Sequence, residues 1–233
     1  MAATLQTLKQ KLVHGCRILA MEGQGDFIWG HVTVRYPDRP DRILMKPHMM
    51  GLNDVTDDDV ITVDLDGNKV EGKGLRHGEV FIHTEVMRAR PDVQCVVHTH
   101  PPDCVVFGSL GKKLQPIGHH GALFCEALPV FSKTSNLITT SPLGRAVAKQ
   151  LGKHHVLLLR NHGIVATGDC VETAVMRALM LDSACRQMLV AEAAGGAKLV
   201  SKRADWMDKQ KNMIPHHHAV AAFEHLVRKL PAT

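Results

Sequence analysis

The sequence contains no apolar run approaching the roughly 20 residues that a bilayer-spanning helix needs, so no membrane segment is expected. It also has no C-x-x-C pair. Cys16, Cys95, Cys104, Cys125, Cys170 and Cys185 are scattered along the chain, which gives neither a zinc ribbon nor a disulfide framework. Reduced and mostly buried thiols are expected. No run or stripe of Lys and Arg underlies the net charge of +5, so nucleic acid is not an expected partner. A mild positive excess does fit an anionic small molecule. The opening stretch MAATLQTLKQKLVHGC lacks a signal-peptide core, and a cytoplasmic protein is the expectation. Low-complexity segments, internal repeats and linkers are missing too.

What the sequence does have is enough chain for one full core, 233 residues with 45% apolar and 22% charged, and an unusual 16 histidines. Histidine is both the pH-7 proton carrier and the commonest metal ligand. Leu5, Leu8, Leu12 and Leu19 share one face of a helix that should end near Gly23. HVTVR (31–35) and RILMK (42–46) read as strands, and DVITVDL followed by DGN reads as a strand entering a hairpin. EVFIHTEVMRAR (79–90) has helical period and stops before Pro91. QCVVHTH (94–100) is a β-branched strand, with Pro101 and Pro102 suited to the first turn of a helix. GRAVAKQLG (144–152) reads as a helix, HVLLLR (155–160) as a buried strand, and NHG (161–163) as a tight turn into IVATG. Residues 171–194 form a long helix closed by Gly195-Gly196. Strands alternating with helices predict an α/β layered domain over residues 1–196. Residues 197–233 follow as a helical C-terminal segment around PHHH (215–218).

Strand alternation places His98 and His100 on one face, with Thr99 on the other. Pro101 ends the strand at once, so both rings sit at its mouth, where sites of α/β sheets usually lie. His162 follows the next strongly apolar strand and precedes Gly163, where the backbone can turn sharply. Three imidazoles with open positions match a catalytic metal site, because a structural zinc site is closed by four ligands. H-x-H alone is a weak signal. HTHPPD with RNHG about sixty residues later, both at strand ends, is much more specific. Glu79 follows Gly78 in the first helical turn, where a glutamate can simply complement the helix dipole. Beside a metal-bound substrate the same carboxylate can move a proton to or from carbon. His83, one turn on, reads as a packed or hydrogen-bonded core residue.

Together these segments resemble the class II aldolase/adducin family from about Leu5 to Gly196. The resemblance is carried by the first helix, GHVTVR, VDLDGN, the glutamate ahead of the helix ending in RPDV, VVHTHPP and LLLRNHGIVATG. It implies an αβα layered fold around a mainly antiparallel sheet, and a homotetramer with active sites at subunit interfaces. It also implies a divalent metal on His98, His100 and His162 and a catalytic role for Glu79. Members acting on phosphorylated sugars carry Gly-Asn, Thr-Gly and Ser-Ser where this sequence has Gly30-His31, His48-Met49 and His77-Gly78. A phosphate cradle depends on small residues and exposed backbone N–H groups. His31, His48, His77 and Lys46 suit a carboxylate or phenolic oxygen instead. The Gly-His form resembles the family's decarboxylase branch, which acts on hydroxylated aromatic dicarboxylates.

The expected function is therefore a metal-dependent carbon–carbon lyase, with zinc first and manganese second as the metal. Decarboxylation of a non-phosphorylated hydroxy- or oxo-carboxylic acid leads, through an enolate-like intermediate that Glu79 protonates. Aldol cleavage of an unphosphorylated hydroxy-keto acid is the alternative. A non-catalytic adducin-like module is a further one, although such a module has no need of three ligands and the glutamate. The PHHH segment reads either as a polar tail or as a cover docked over an active site, its own or a neighbour's, with His217 touching substrate.

Overall fold

The computed structural model describes residues 4–213 and 215–231. Eight strands form one sheet: β1 (His31–Arg35), β2 (Arg42–Met45), β3 (Ile61–Asp64), β4 (Lys69–Glu71), β5 (Cys95–Thr99), β6 (Val130–Phe131), β7 (Val156–Leu159) and β8 (Gly163–Gly168). Their order across the sheet is β4-β3-β2-β1-β5-β8-β7-β6. All neighbours run antiparallel except β6 and β7. The helices are α1 (Leu5–Leu19), α2 (Val80–Ala89), α3 (Pro102–Ser109), α4 (Gly118–Phe124), α5 (Ser141–Leu151), α6 (Val171–Ala193), α7 (Arg203–Asn212) and α8 (His216–Val227). The αβα layering around a mainly antiparallel sheet is thus observed.

Side-chain alternation along the strands builds two cores. Val32, Val34, Cys95, Val97, Ile164 and Ala166 pack under α1 and α6. Val96, Leu157, Leu159 and Val165 pack under α2 and α5 with Ile82, Val86 and Val147. Each such side chain, fully buried, contributes about 1.5–3 kcal/mol. β1 breaks the pattern on its α2-facing side, where His31, Thr33 and Arg35 stand in place of apolar residues. All three are met by polar partners: His31 and Thr33 bond His83, and Arg35 donates to the carbonyls of Met87 and Val93.

α1 starts at Thr4, whose hydroxyl accepts the N–H of Thr7. It runs into a π-helical turn over Ala20–Gln24, in which Gly23 takes φ 84°. That turn swings the following loop, with Asp26, to the end of the sheet where β5 finishes. The C-terminal segment forms α7 and α8, while Ile214, Ala232 and Thr233 lie outside the described residues. α8 packs on α1 and α6, anchored by Ala219 and Phe223, both essentially inaccessible. None of the described helices is long and apolar enough to cross a membrane.

Candidate metal centre

β5 lies between β1 and β8, with His98 opposite His31 on one side and Val165 on the other. His98 is fully buried. Its Nδ1 lies 2.8 Å from the carbonyl oxygen of Ile164. A carbonyl can only accept, so Nδ1 carries the hydrogen and Nε2 presents its lone pair. His100 stands just past the strand, its Nδ1 2.9 Å from Oδ2 of Asp26, which fixes the ring the same way. The two Nε2 atoms face each other across 3.1 Å. Two lone pairs at that distance repel unless a proton or a cation lies between them.

His162 completes the group from the β7–β8 turn. Both of its ring nitrogens are buried without a partner, and its ring stacks 5.3 Å from that of His100. The sharp turn is expected at Gly163. In the structure Asn161 makes it, at φ 58°. Gly163 is needed for another reason: a Cβ there would lie 2.4 Å from the Thr99 oxygen and 2.7 Å from Cδ2 of His100. The hairpin approaches β5 closely enough to join the three imidazoles only because that side chain is missing.

Glu79 sits at the N-cap of α2, one residue ahead of the helix, and makes no capping bond. It is 8% exposed, unlike a glutamate that only complements a helix dipole from the surface. Oε1 accepts the Ile138 N–H at 2.7 Å and lies 3.5 Å from Nε2 of His162. Oε2 lies 3.7 Å from Nε2 of His98. Burial works against the Glu79 charge; only with hydrogen on the facing Nε2 of His162 or His98 do those rings outweigh it and hold the pKa below the ordinary carboxylate range. Ligand atoms of Glu79, His98, His100 and His162 all lie within 4.8 Å of one another. Oriented Nδ1 groups, converging Nε2 atoms and an unpartnered His162 fit a divalent cation.

A cavity of about 660 Å³ opens over this group. His31, His48 and His77, whose rings adjoin one another, line it together with the apolar Trp29, Val106 and Leu137. The structure thus brings Glu79, His98, His100, His162, His31, His48 and His77 together. Burial, aided by the charge of Lys46, pushes His77 down to about 3. Lys46 does not join them. It is fully buried, and its Nζ donates to the carbonyls of Ile28 and Met50. Burial lowers it to about 8, and its ammonium holds together the loops that carry Trp29 and His48.

His217 does not join them either. It is exposed, and its neighbour His216 bonds Asp169, which follows β8 at the far end from His162. Anchored by Phe223, the segment cannot cover its own chain's centre, so that version of the expectation is corrected. Asp26, the Ile138 N–H and the apolar wall escaped sequence reading. GQGDF carries no periodicity that would mark Asp26 as a partner for a ring 74 residues away.

The model of the Class II Aldolase and Adducin N-terminal domain matches residues 10–189. The chain belongs to this family. Among its relatives, 3,4-dihydroxyphthalate decarboxylase of Arthrobacter keyseri is 32% identical over 81% of this chain and 80% of its own length. A Streptomyces roseochromogenus subsp. oscitans protein named 4-hydroxy-3-prenylphenylpyruvate oxygenase/4-hydroxy-3-prenylbenzoate synthase is 36% identical over 74% of this chain. This class II aldolase/adducin chain spans only 63% of that relative's length. The solved L-fuculose 1-phosphate aldolase from Glaciozyma antarctica PI12 superposes with a TM-score of 0.87 and 25% identity, over 99% of this chain and 92% of its own.

Proposed function

We propose that this chain is a divalent-metal-dependent carbon–carbon lyase, and specifically a decarboxylase of a non-phosphorylated, hydroxylated aromatic acid. The observation that carries the proposal is the opposed pair of Nε2 atoms, His98 and His100, with unpartnered His162 beside them and Glu79 above. Zinc is the first candidate for this shell and manganese the second, since geometry and supply rather than affinity select the metal.

A divalent ion held there supplies Lewis acidity to neighbouring substrate oxygens as a bond to carbon breaks. The chain's own groups do the rest. Glu79, its Oε1 held by the Ile138 N–H, takes the proton of a substrate hydroxyl and delivers it to the carbon that releases carbon dioxide. The electron pair of the broken C–C bond stays on that carbon and receives this proton. His31, His48 and His77 replace the small residues and exposed N–H groups that phosphate requires. They leave polar contacts for a carboxylate and a hydroxyl, while Trp29, Val106 and Leu137 suit a flat apolar ring. The named activity of the Arthrobacter relative, on a dihydroxyphthalate, supports the same substrate class.

Aldol cleavage of an unphosphorylated hydroxy-keto acid is the second reading, favoured by the fold shared with the fuculose-phosphate aldolase. Products separate the two. Metal-loaded protein given dihydroxybenzene- and hydroxypyridine-dicarboxylates, then hydroxy-keto acids, is expected to release carbon dioxide. Aldehyde without carbon dioxide overturns the decarboxylase assignment. Activity confined to sugar phosphates overturns the reading of the imidazole wall as well. The proposal includes an assembly of subunits with the sites at their interfaces and a cytoplasmic location.

A further inference from the structure

His83 is not among the lining residues of the cavity and takes no part in the proposed chemistry, yet it is a wholly buried imidazole. It joins two residues of β1. Its Nε2 lies 2.6 Å from Nδ1 of His31, and its Nδ1 lies 2.7 Å from the hydroxyl of Thr33. Three buried polar groups in a row, with the Val96 carbonyl beside His83, allow two neutral proton arrangements, and hydrogen-bond accounting favours the one that also gives the Thr33 hydroxyl an acceptor. The Thr33 hydroxyl is fully buried, and among the described residues its hydrogen-bond partner is His83. Were His83 Nδ1 to donate, the hydroxyl hydrogen would be left buried without an acceptor, which is unfavourable. With Thr33 donating, every group is satisfied: Thr33 O–H to His83 Nδ1, then His83 Nε2–H to His31 Nδ1. The remaining hydrogen of His31 must then sit on Nε2. That nitrogen has no protein partner and is not sealed from the cavity that His31 lines.

His77 is fixed in the opposite sense. Its Nε2 lies 3.1 Å from the Pro47 carbonyl oxygen, which can only accept, so Nδ1 is left with a lone pair. The His31 and His77 ring centres are 4.3 Å apart. The wall therefore offers a donor and an acceptor side by side.

We infer that Thr33 and His83 are positioning residues that lock His31 as a hydrogen-bond donor beside the acceptor His77, so that the pocket selects an acceptor oxygen next to a hydroxyl. The selection of a hydroxy-acid rests on the lyase reading above, whereas the proton arrangement does not. A neutral donor–acceptor pair matches a carboxylate oxygen with its neighbouring hydroxyl and mismatches two adjacent carboxylates, one of which would meet the His77 lone pair.

The test uses zinc-loaded, full-length protein labelled with 15N-histidine. Long-range proton–nitrogen spectra report which nitrogen of each ring carries hydrogen. His31 and His83 are expected to be protonated on Nε2. Thr33→Val keeps the shape and removes the hydroxyl, leaving the carbonyl of Val96, a backbone partner of His83, as the remaining acceptor; with Nε2 facing His31, we expect it to draw the hydrogen to Nδ1. The relay then reverses, and His31 moves to the Nδ1-protonated form. Binding of 3-hydroxyphthalate, followed by calorimetry, should weaken about tenfold at unchanged zinc content, and Thr33→Ser should restore both properties. Wild-type protein should also bind 3-hydroxyphthalate more tightly than phthalate. His31 protonated on Nδ1 in the wild type overturns the relay, as does a Thr33→Val protein with unaltered spectra. Equal binding of the two phthalates overturns the selection. Failure of the lyase reading, seen as no carbon dioxide from any acid, leaves the histidine spectra as they are.

Discussion

At the scale of single residues, local motifs were readable and distant partners were not. HTH and NHG stand at strand ends in sequence and in space, so three imidazoles of the centre were legible. The partners that aim them were hidden, because Asp26 and the Ile164 carbonyl reach His100 and His98 only through the tertiary fold. The placing of Lys46 is hidden for a related reason: sequence shows its charge but not the two carbonyls to which its Nζ donates. His98→Ala, His100→Ala and His162→Ala should each lose most of the bound metal by elemental analysis. Asp26→Asn should keep the ring but loosen it, weakening metal affinity about 10–100-fold. Glu79→Gln should retain metal and fold while turnover falls by about 10² or more; near-normal turnover would return Glu79 to a structural role. His77 gives a pH signature. Its folded pKa lies below the unfolded value of about 6.5, so the unfolded chain binds the proton first as pH falls. Stability is then full above pH ~6.5 and declines on acidification, by on the order of 1.4 kcal/mol per unit for one such group. Denaturant titrations of metal-free protein at pH 7 and 5.5 should show the decline, and His77→Gln should lessen it by one group's share, because burial lowers His31, His83, His100 and His155 as well.

At the scale of elements, periodicity located most strands and helices to within a few residues, but it left α4 and β6 unread and gave α7 and α8 only as a helical segment, since these are short or carry no clean apolar pattern. It could not say how closely two elements approach. α2, which carries Glu79 at its head, packs on α5 through Gly144, where a Cβ would come 2.3 Å from the Phe81 oxygen. No sequence pattern distinguishes that glycine from one in a turn. Gly144→Val should push the helices apart and cost about 1–3 kcal/mol, read as a lower midpoint of unfolding. Turnover should fall in parallel, because the Glu79 carboxylate rides on the displaced helix. An unfolding midpoint equal to wild type would show that α5 is free to shift without strain.

At the scale of the whole molecule, several large apolar side chains stand exposed. Phe27 is 82% exposed, Met49 67% and Leu75 66%; the Phe27 ring meets that of Trp29, and Trp29 and Leu137 line the cavity. Exposed apolar surface of this kind marks a contact face. Light scattering should report an assembly larger than one chain. Phe27→Asp with Leu75→Asp should shift it toward single chains, reducing turnover while sparing metal content; a wild-type protein that scatters as a single chain would refute this. The order of strands carries one more consequence, for synthesis of the chain. β1 to β4 form a meander that can close early, and β5 adds to β1. β6 and β7 are made next but lie on the far side of β8. Until residue 168 is available, β5 and β7 lack the strand that joins them. His98 lies on β5 and His162 follows β7, the two strands that β8 joins. An unpaired edge invites pairing with other chains, so a chain that forms these strands before β8 would be exposed to aggregation. Insertion of β8 closes the gap and assembles the imidazoles in the same event.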